Sequence, residues 1–175
     1  MLVAGVDPAF GGPLGLAVVS FNGLSPSLVA RQQLRVRRSG TWEDRCAAMA
    51  QAVYAALCGA GRYELIAIEW SYVSGRDTRG GGNVATALRL AYLIGQLGRV
   101  AAELGSHAVL VYPVESKSAL TGNERATKAD MIAMANRLTG LALSEHEADA
   151  YAHALAAEAK WRRQQLVGLP PEPPG

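Results

Sequence analysis

The sequence predicts an α/β protein built on a mixed five-stranded sheet, with three antiparallel strands first, parallel crossovers after, and helices on both faces. Three observations predict it. Three short strand-like runs stand consecutively at the start, with turn residues and no helical pattern between them. Two later apolar runs, 65–68 and 108–111, are separated by helix-length stretches, which is the βαβ pattern of parallel strands. Half of the 175 residues are hydrophobic and only 18% are charged, so the chain can bury a core.

The elements follow in order. Leu2 to Val6 is an apolar run closed by Asp7-Pro8, and Leu14 to Phe21 is a second strand. Gly11 and Gly12 between them suit a hairpin. Leu28 to Val36 alternates partially and carries polar residues, as an exposed third strand does. Arg35, Arg37 and Arg38 near its end read as a solvated edge that discourages sheet-to-sheet pairing. Thr41 with Asp44 three residues on opens a helix through Leu57 with a capping-box-like start. Leu65 to Ile68 is the next strand and ends at Glu69, and 71–82 is a glycine-rich loop. Val84 to Leu104 is a long Ala/Leu-rich helix. Ala108 to Val111 is a strand closed by Tyr112-Pro113, and Thr127 to Leu138 is a helix with Gly140 after it. Ser144 caps a last helix from Glu145 to about Gln165. One domain spans 1–167, and the proline-rich tail 168–175 is expected to be disordered.

Composition excludes several classes. Cys46 and Cys58 are the only cysteines and lack metal-ligand spacing, so neither a disulfide framework nor a thiolate zinc site is expected. No apolar run is long enough to span a bilayer, and the start has no basic region of a signal peptide, so a cytoplasmic protein is expected. Gly80-Gly81-Gly82-Asn83 lacks the Gly-Lys-Ser/Thr ending of a P-loop. The net charge of +2 neither demands nor excludes nucleic acid. Arginine supplies 14 of the 17 cations, and the lysines are Lys117, Lys128 and Lys160.

Four polar residues interrupt apolar pattern. Asp7 and Glu69 end strands that a mixed sheet can place side by side. His146 and Asp149 lie three apart on the last helix and share a face. Taken singly, Asp7 also suits a turn, and Glu69 also suits an exposed strand end. Together, three carboxylates in one pocket repel unless a cation neutralises them. Mg²⁺ or Mn²⁺ with oxygen ligands answers that need, and one or two such ions suit phosphodiester hydrolysis.

Gly5-Val6-Asp7-Pro8, Ile66-Ala67-Ile68-Glu69 and His146-Glu147-Ala148-Asp149-Ala150, in that order, resemble the RuvC family of Holliday junction resolvases, within the RNase H-like superfamily. The resemblance runs from Leu2 to about Ala157. It implies a metal-dependent endonuclease that cuts four-way junctions by paired symmetric nicks leaving 5′ phosphates. It implies Asp7, Glu69, His146 and Asp149 as metal ligands, two ions of Mg²⁺ per site with Mn²⁺ also active, and Lys128 as a catalytic cation. His146 stands where many members have Asp, and it is read as a fourth ligand or as a base for the attacking water. His153 falls on the same helix face and is read as a packing residue. Tyr72, three residues after Glu69, matches the family's wedge aromatic. Lys117 and Lys128 match two DNA-contacting lysines eleven apart. Arg76, Arg79 and Arg125 complete the expected DNA surface. Two scissile strands imply a homodimer, formed through the helix 84–104. The alternatives are a broader nuclease cutting flaps, forks or hybrids, and a non-catalytic nucleic-acid binder. A helicase partner is not indicated by any motif.

Overall fold

The computed structural model describes residues 1–8, 12–23, 25–37, 39–59, 61–70 and 83–167. Tyr72, Arg76, Arg79 and the tail 168–175 lie outside the described residues. Five strands form one sheet: β1 (Leu2–Asp7), β2 (Leu14–Ser20), β3 (Ser27–Leu34), β4 (Leu65–Glu69) and β5 (His107–Val111), in spatial order β3-β2-β1-β4-β5. β1 pairs antiparallel with β2 and parallel with β4, β3 pairs antiparallel with β2, and β5 pairs parallel with β4. The mixed sheet read from the sequence is the sheet observed.

Strand alternation builds two cores. Val3, Ala17, Leu65 and Ala67 point to one face, while Ala4, Val6, Ile66 and Ile68 point to the other. The second face is covered by α1 (Trp42–Leu57) and α2 (Asn83–Glu103). The first is covered by α4 (Lys128–Thr139) and α5 (Glu145–Val167). Leu65, Ile66 and Ile68 are wholly buried in β4, each stabilising the fold by about 1.5–3 kcal/mol. The strands that end in Asp7 and Glu69 are therefore rigid supports.

Capping fixes the helix starts, at Thr41 and Ser144 as expected from the sequence. Thr41 and Asp44 close a capping box on α1, and Thr127 and Asp130 do so on α4. At α5, Ser144 and Glu147 exchange bonds, Oγ to Oε2 at 2.7 Å and the Glu147 amide to Ser144 Oγ at 3.4 Å. Arg31 of β3 reaches the same carboxylate at 3.3 Å, which ties the start of α5 to the sheet.

One element differs from the sequence reading. Tyr112-Pro113 does not simply close β5, because Pro113 opens a nine-residue helix, α3 (Pro113–Thr121). Pro at the first turn, Glu115 bonding back to the Tyr112 amide at 2.8 Å, and Gly122 in the left-handed region at φ 72° delimit it. Residues 122–127 form the short link from α3 to α4.

Two glycines set how closely α5 approaches the sheet. A Cβ on Gly5 of β1 would lie 1.8 Å from the Ala150 carbonyl oxygen. One on Gly15 of β2 would lie 2.0 Å from that of His146. Only glycine admits the helix backbone at these points. Ala150 and Ala154 keep the helix side of the contact at Gly5 equally small.

Candidate active site

Asp7 follows Gly5 by two, so it points to the α5 face at the carboxyl end of β1. Glu69 follows Ala67 by two and ends β4 on that same face. The register Val6↔Ile68 brings the two strand ends side by side. The close approach of α5 then sets His146, Asp149 and His153, at positions i, i+3 and i+7, over them.

His146 Nδ1 lies 2.7 Å from Asp7 Oδ2. His153 Nε2 lies 3.2 Å from Glu69 Oε2. Among the described residues, Asp7, Glu69 and His153 form a group whose ligand atoms all fall within 4.8 Å of one another, a spacing suited to one metal ion. Asp149 stands outside that trio yet acts on the charges of Asp7, and Glu69 acts on its own.

The electrostatics follow from burial of acids together. Asp7 is only 7% exposed. Desolvation raises its pKa from 3.8 to about 6, against the His146 hydrogen bond and, whenever that ring is protonated, the charge of His153, which lower it; Glu69 and Asp149 raise it further. Asp149 is also raised, first by desolvation and then by its acidic neighbours. Burial thus concentrates negative charge that an arriving cation would stabilise. The donor set, carboxylate oxygens with imidazole nitrogen, fits Mg²⁺ and fits Mn²⁺ better, since imidazole is the softer ligand. Among the described residues the buried His153 Nε2 has no hydrogen-bond partner, only its 3.2 Å ion-pair contact with Glu69, which adds a second sign that a cation belongs there.

Lys128, at the first position of α4, contacts the Glu145 carboxylate. That contact raises the Lys128 pKa and lowers that of Glu145. The charges of Asp149 and Asp7 raise it further, so Lys128 is within electrostatic reach of the acidic site. Lys117 lies on α3 and Arg125 is exposed on the link to α4. The structure therefore brings Asp7, Glu69, His146, Asp149 and Lys128 into one site. His153, expected only to pack, is the residue whose polar placement the sequence reading missed. Its spacing of four from Asp149 was the available signal.

A family model described as crossover junction endodeoxyribonuclease RuvC matches residues 3–158. A crossover junction endodeoxyribonuclease RuvC from Corynebacterium efficiens is 41% identical over 87 residues, which is 49% of this chain and 39% of that protein. The one from Corynebacterium diphtheriae is 40% identical over 87 residues and is covered over 53% of its length. The matched segments thus span about two fifths to half of these curated relatives. The Thermus thermophilus RuvC structure in complex with Holliday junction substrate superposes with a TM-score of 0.76 and 27% identity, covering 94% of this chain and 96% of that one. The yeast mitochondrial Holliday junction resolvase shares the fold, with a TM-score of 0.62 at 13% identity. With a family model matching residues 3–158, well over half of the chain, this chain belongs to the RuvC family of crossover junction endodeoxyribonucleases.

Proposed function

We propose that the protein is a metal-dependent endonuclease that resolves four-way DNA junctions by paired, symmetric nicks. The observation that carries this reading is the convergence of Asp7, Glu69 and Asp149, all burdened by burial or mutual repulsion, at one end of the sheet. Asp7, Glu69, Asp149 and His146 would hold two Mg²⁺ ions, with Mn²⁺ also supporting activity. The ions supply polarisation of the scissile phosphate, activation of water and stabilisation of the leaving 3′ oxygen.

The chain's own groups do the rest. With Asp7 ionised, the His146 Nδ1–H donates to it at 2.7 Å and turns Nε2 toward the site, as ligand or as acceptor of the water proton. Lys128 exchanges Glu145 for a phosphate oxygen and stabilises its charge. Attack in line leaves a 5′ phosphate. Lys117, Arg125, Arg76 and Arg79 contact the DNA backbone, and Tyr72 stacks at the junction, worth about 1–3 kcal/mol per stacked base.

A homodimer supplies two sites for two strands. Val84, Leu88 and Tyr92 recur every fourth residue on α2 and are 61%, 64% and 40% exposed, an apolar stripe suited to a second copy. The reading places one nuclease domain over 1–167, in the cytoplasm, on branched DNA. The described helices include none long and apolar enough to cross a membrane.

Asp149→Asn tests the reading. It is expected to abolish junction cleavage while junction affinity stays within about twofold. Retained cleavage in Mg²⁺ would remove Asp149 from the site. The same preparation compared on flaps and forks separates the resolvase from a broader nuclease.

A further inference from the structure

The ligand group Asp7–Glu69–His153 contains a histidine with no role in the proposed cleavage. We propose that His153 is a further metal ligand of this site, through Nε2, and that Ser116 is the positioning residue that keeps that nitrogen unprotonated. The inference rests on the metal-dependent reading.

His153 is 2% exposed in the middle of α5, among alanines. A histidine so buried needs a use for both ring nitrogens. Nδ1 has one: it lies 2.7 Å from Ser116 Oγ. Ser116 has a single hydroxyl proton, and its Oγ donates to the Tyr112 carbonyl at 3.5 Å. With that proton committed, Ser116 Oγ accepts from the His153 Nδ1–H, and Nε2 is left with its lone pair. The opposite tautomer would put a proton on Nε2. Among the described residues that proton would then be buried without a hydrogen bond, meeting Glu69 Oε2 only as a 3.2 Å ion-pair contact outside hydrogen-bond geometry. Both arguments select the same tautomer.

The lone pair faces oxygen ligands. Its atom and those of Asp7 and Glu69 lie within 4.8 Å of one another, close enough to share one ion. The arrangement, imidazole toward the metal and its far N–H held by an oxygen, is how proteins orient ligating histidines. It also implies a preference. An imidazole ligand suits Mn²⁺ more than Mg²⁺, so the chain should bind Mn²⁺ more tightly. Ser116 belongs to α3, so this short helix acts as the bracket that orients a ligand on α5.

The test is pulsed electron paramagnetic resonance of Mn²⁺ bound to the full chain, read for imidazole nitrogen coupling. The chain has three histidines. His107 pairs with Leu65 at the opposite end of β4 from Glu69 and stacks at 5.0 Å on Trp161, so it is no ligand here. In His146→Gln, a nitrogen coupling on bound Mn²⁺ can then come only from His153. We expect it to be present there and absent in His146→Gln/His153→Gln. Ser116→Ala, folded by circular dichroism, should bind Mn²⁺ at least tenfold more weakly by calorimetry. In the otherwise unaltered chain, His153→Gln should remove one coupling. Bound Mn²⁺ with no nitrogen coupling in His146→Gln, or an unchanged spectrum in His153→Gln, would overturn the proposal and leave the carboxylate site standing; His153 would then be a buried counter-charge for Glu69. A wild-type chain that binds no Mn²⁺ at all would overturn the metal-dependent reading itself.

Discussion

Asp7→Asn removes one buried charge and almost nothing else. Asparagine keeps the shape, retains an oxygen that can accept from His146, and offers its amide to neighbouring carboxylates. The magnitude follows from the shift. Desolvation holds the Asp7 pKa at about 6 in the fold, against an ordinary 3.8. A rise from 3.8 to about 6 corresponds to roughly 3 kcal/mol. The sign is unfavourable to the charged fold. Between about pH 4 and pH 6 the folded state keeps a proton that the unfolded chain has released. Stability from this group therefore falls as pH rises through that window, and the whole penalty is present above it. Denaturant titrations of both proteins from pH 4 to pH 7.5, with chelator, measure it. The metal-free variant should be more stable than the wild type by roughly 2–3 kcal/mol at pH 7.5. For a chain of this size that is a rise in Tm of about 5–10 °C. The gap should close toward pH 4. Saturating Mn²⁺ should reverse the order, since only the wild type gains binding energy. Equal stabilities at pH 7.5, or a gap that widens toward pH 4, would refute the claim that Asp7 is a charge stored against its own burial.

Three further outcomes follow from the geometry. Gly5→Ala puts a methyl 1.8 Å from the Ala150 carbonyl oxygen, where ordinary contact begins at 3.4 Å. The helix must back away, and we expect a loss of about 1–3 kcal/mol or more in a thermal melt and about 100-fold in cleavage. Glu145→Gln releases Lys128 from its carboxylate partner, so low-salt junction affinity should rise by up to about fivefold in a binding titration. Leu88→Asp charges the middle of the exposed stripe on α2; light scattering should report a monomer, and paired nicking should give way to single nicks.

The parts of the fold legible in the sequence were those fixed by local signals. Asp7 and Glu69 could be placed at strand ends because apolar runs stop at them, and side-chain alternation then puts both on one face. Thr41 with Asp44, and Ser144, marked two helix starts by capping chemistry. α3 was not legible. Its sequence, PVESKSALT, has no apolar stripe, so only Pro113, Glu115 and Gly122 punctuate it, and Pro113 also suits the end of a strand. That omission hid a second fact. The spacing of His153 put it on the face of Asp149, but the partner that orients its ring, Ser116, sits on the helix the pattern did not reveal. The closeness of α5 was equally invisible, since glycines 5 and 15 look like ordinary strand glycines until the helix backbone is seen against them.

Cleavage of a labelled synthetic four-way junction, beside linear duplex, fork and flap, in Mg²⁺, Mn²⁺ and chelator, tests the central claim most directly. The account predicts paired nicks at symmetric positions, confined to the junction, supported by either metal and absent with chelator. Cutting that persists in chelator, or no cutting with either metal despite tight junction binding, would contradict it.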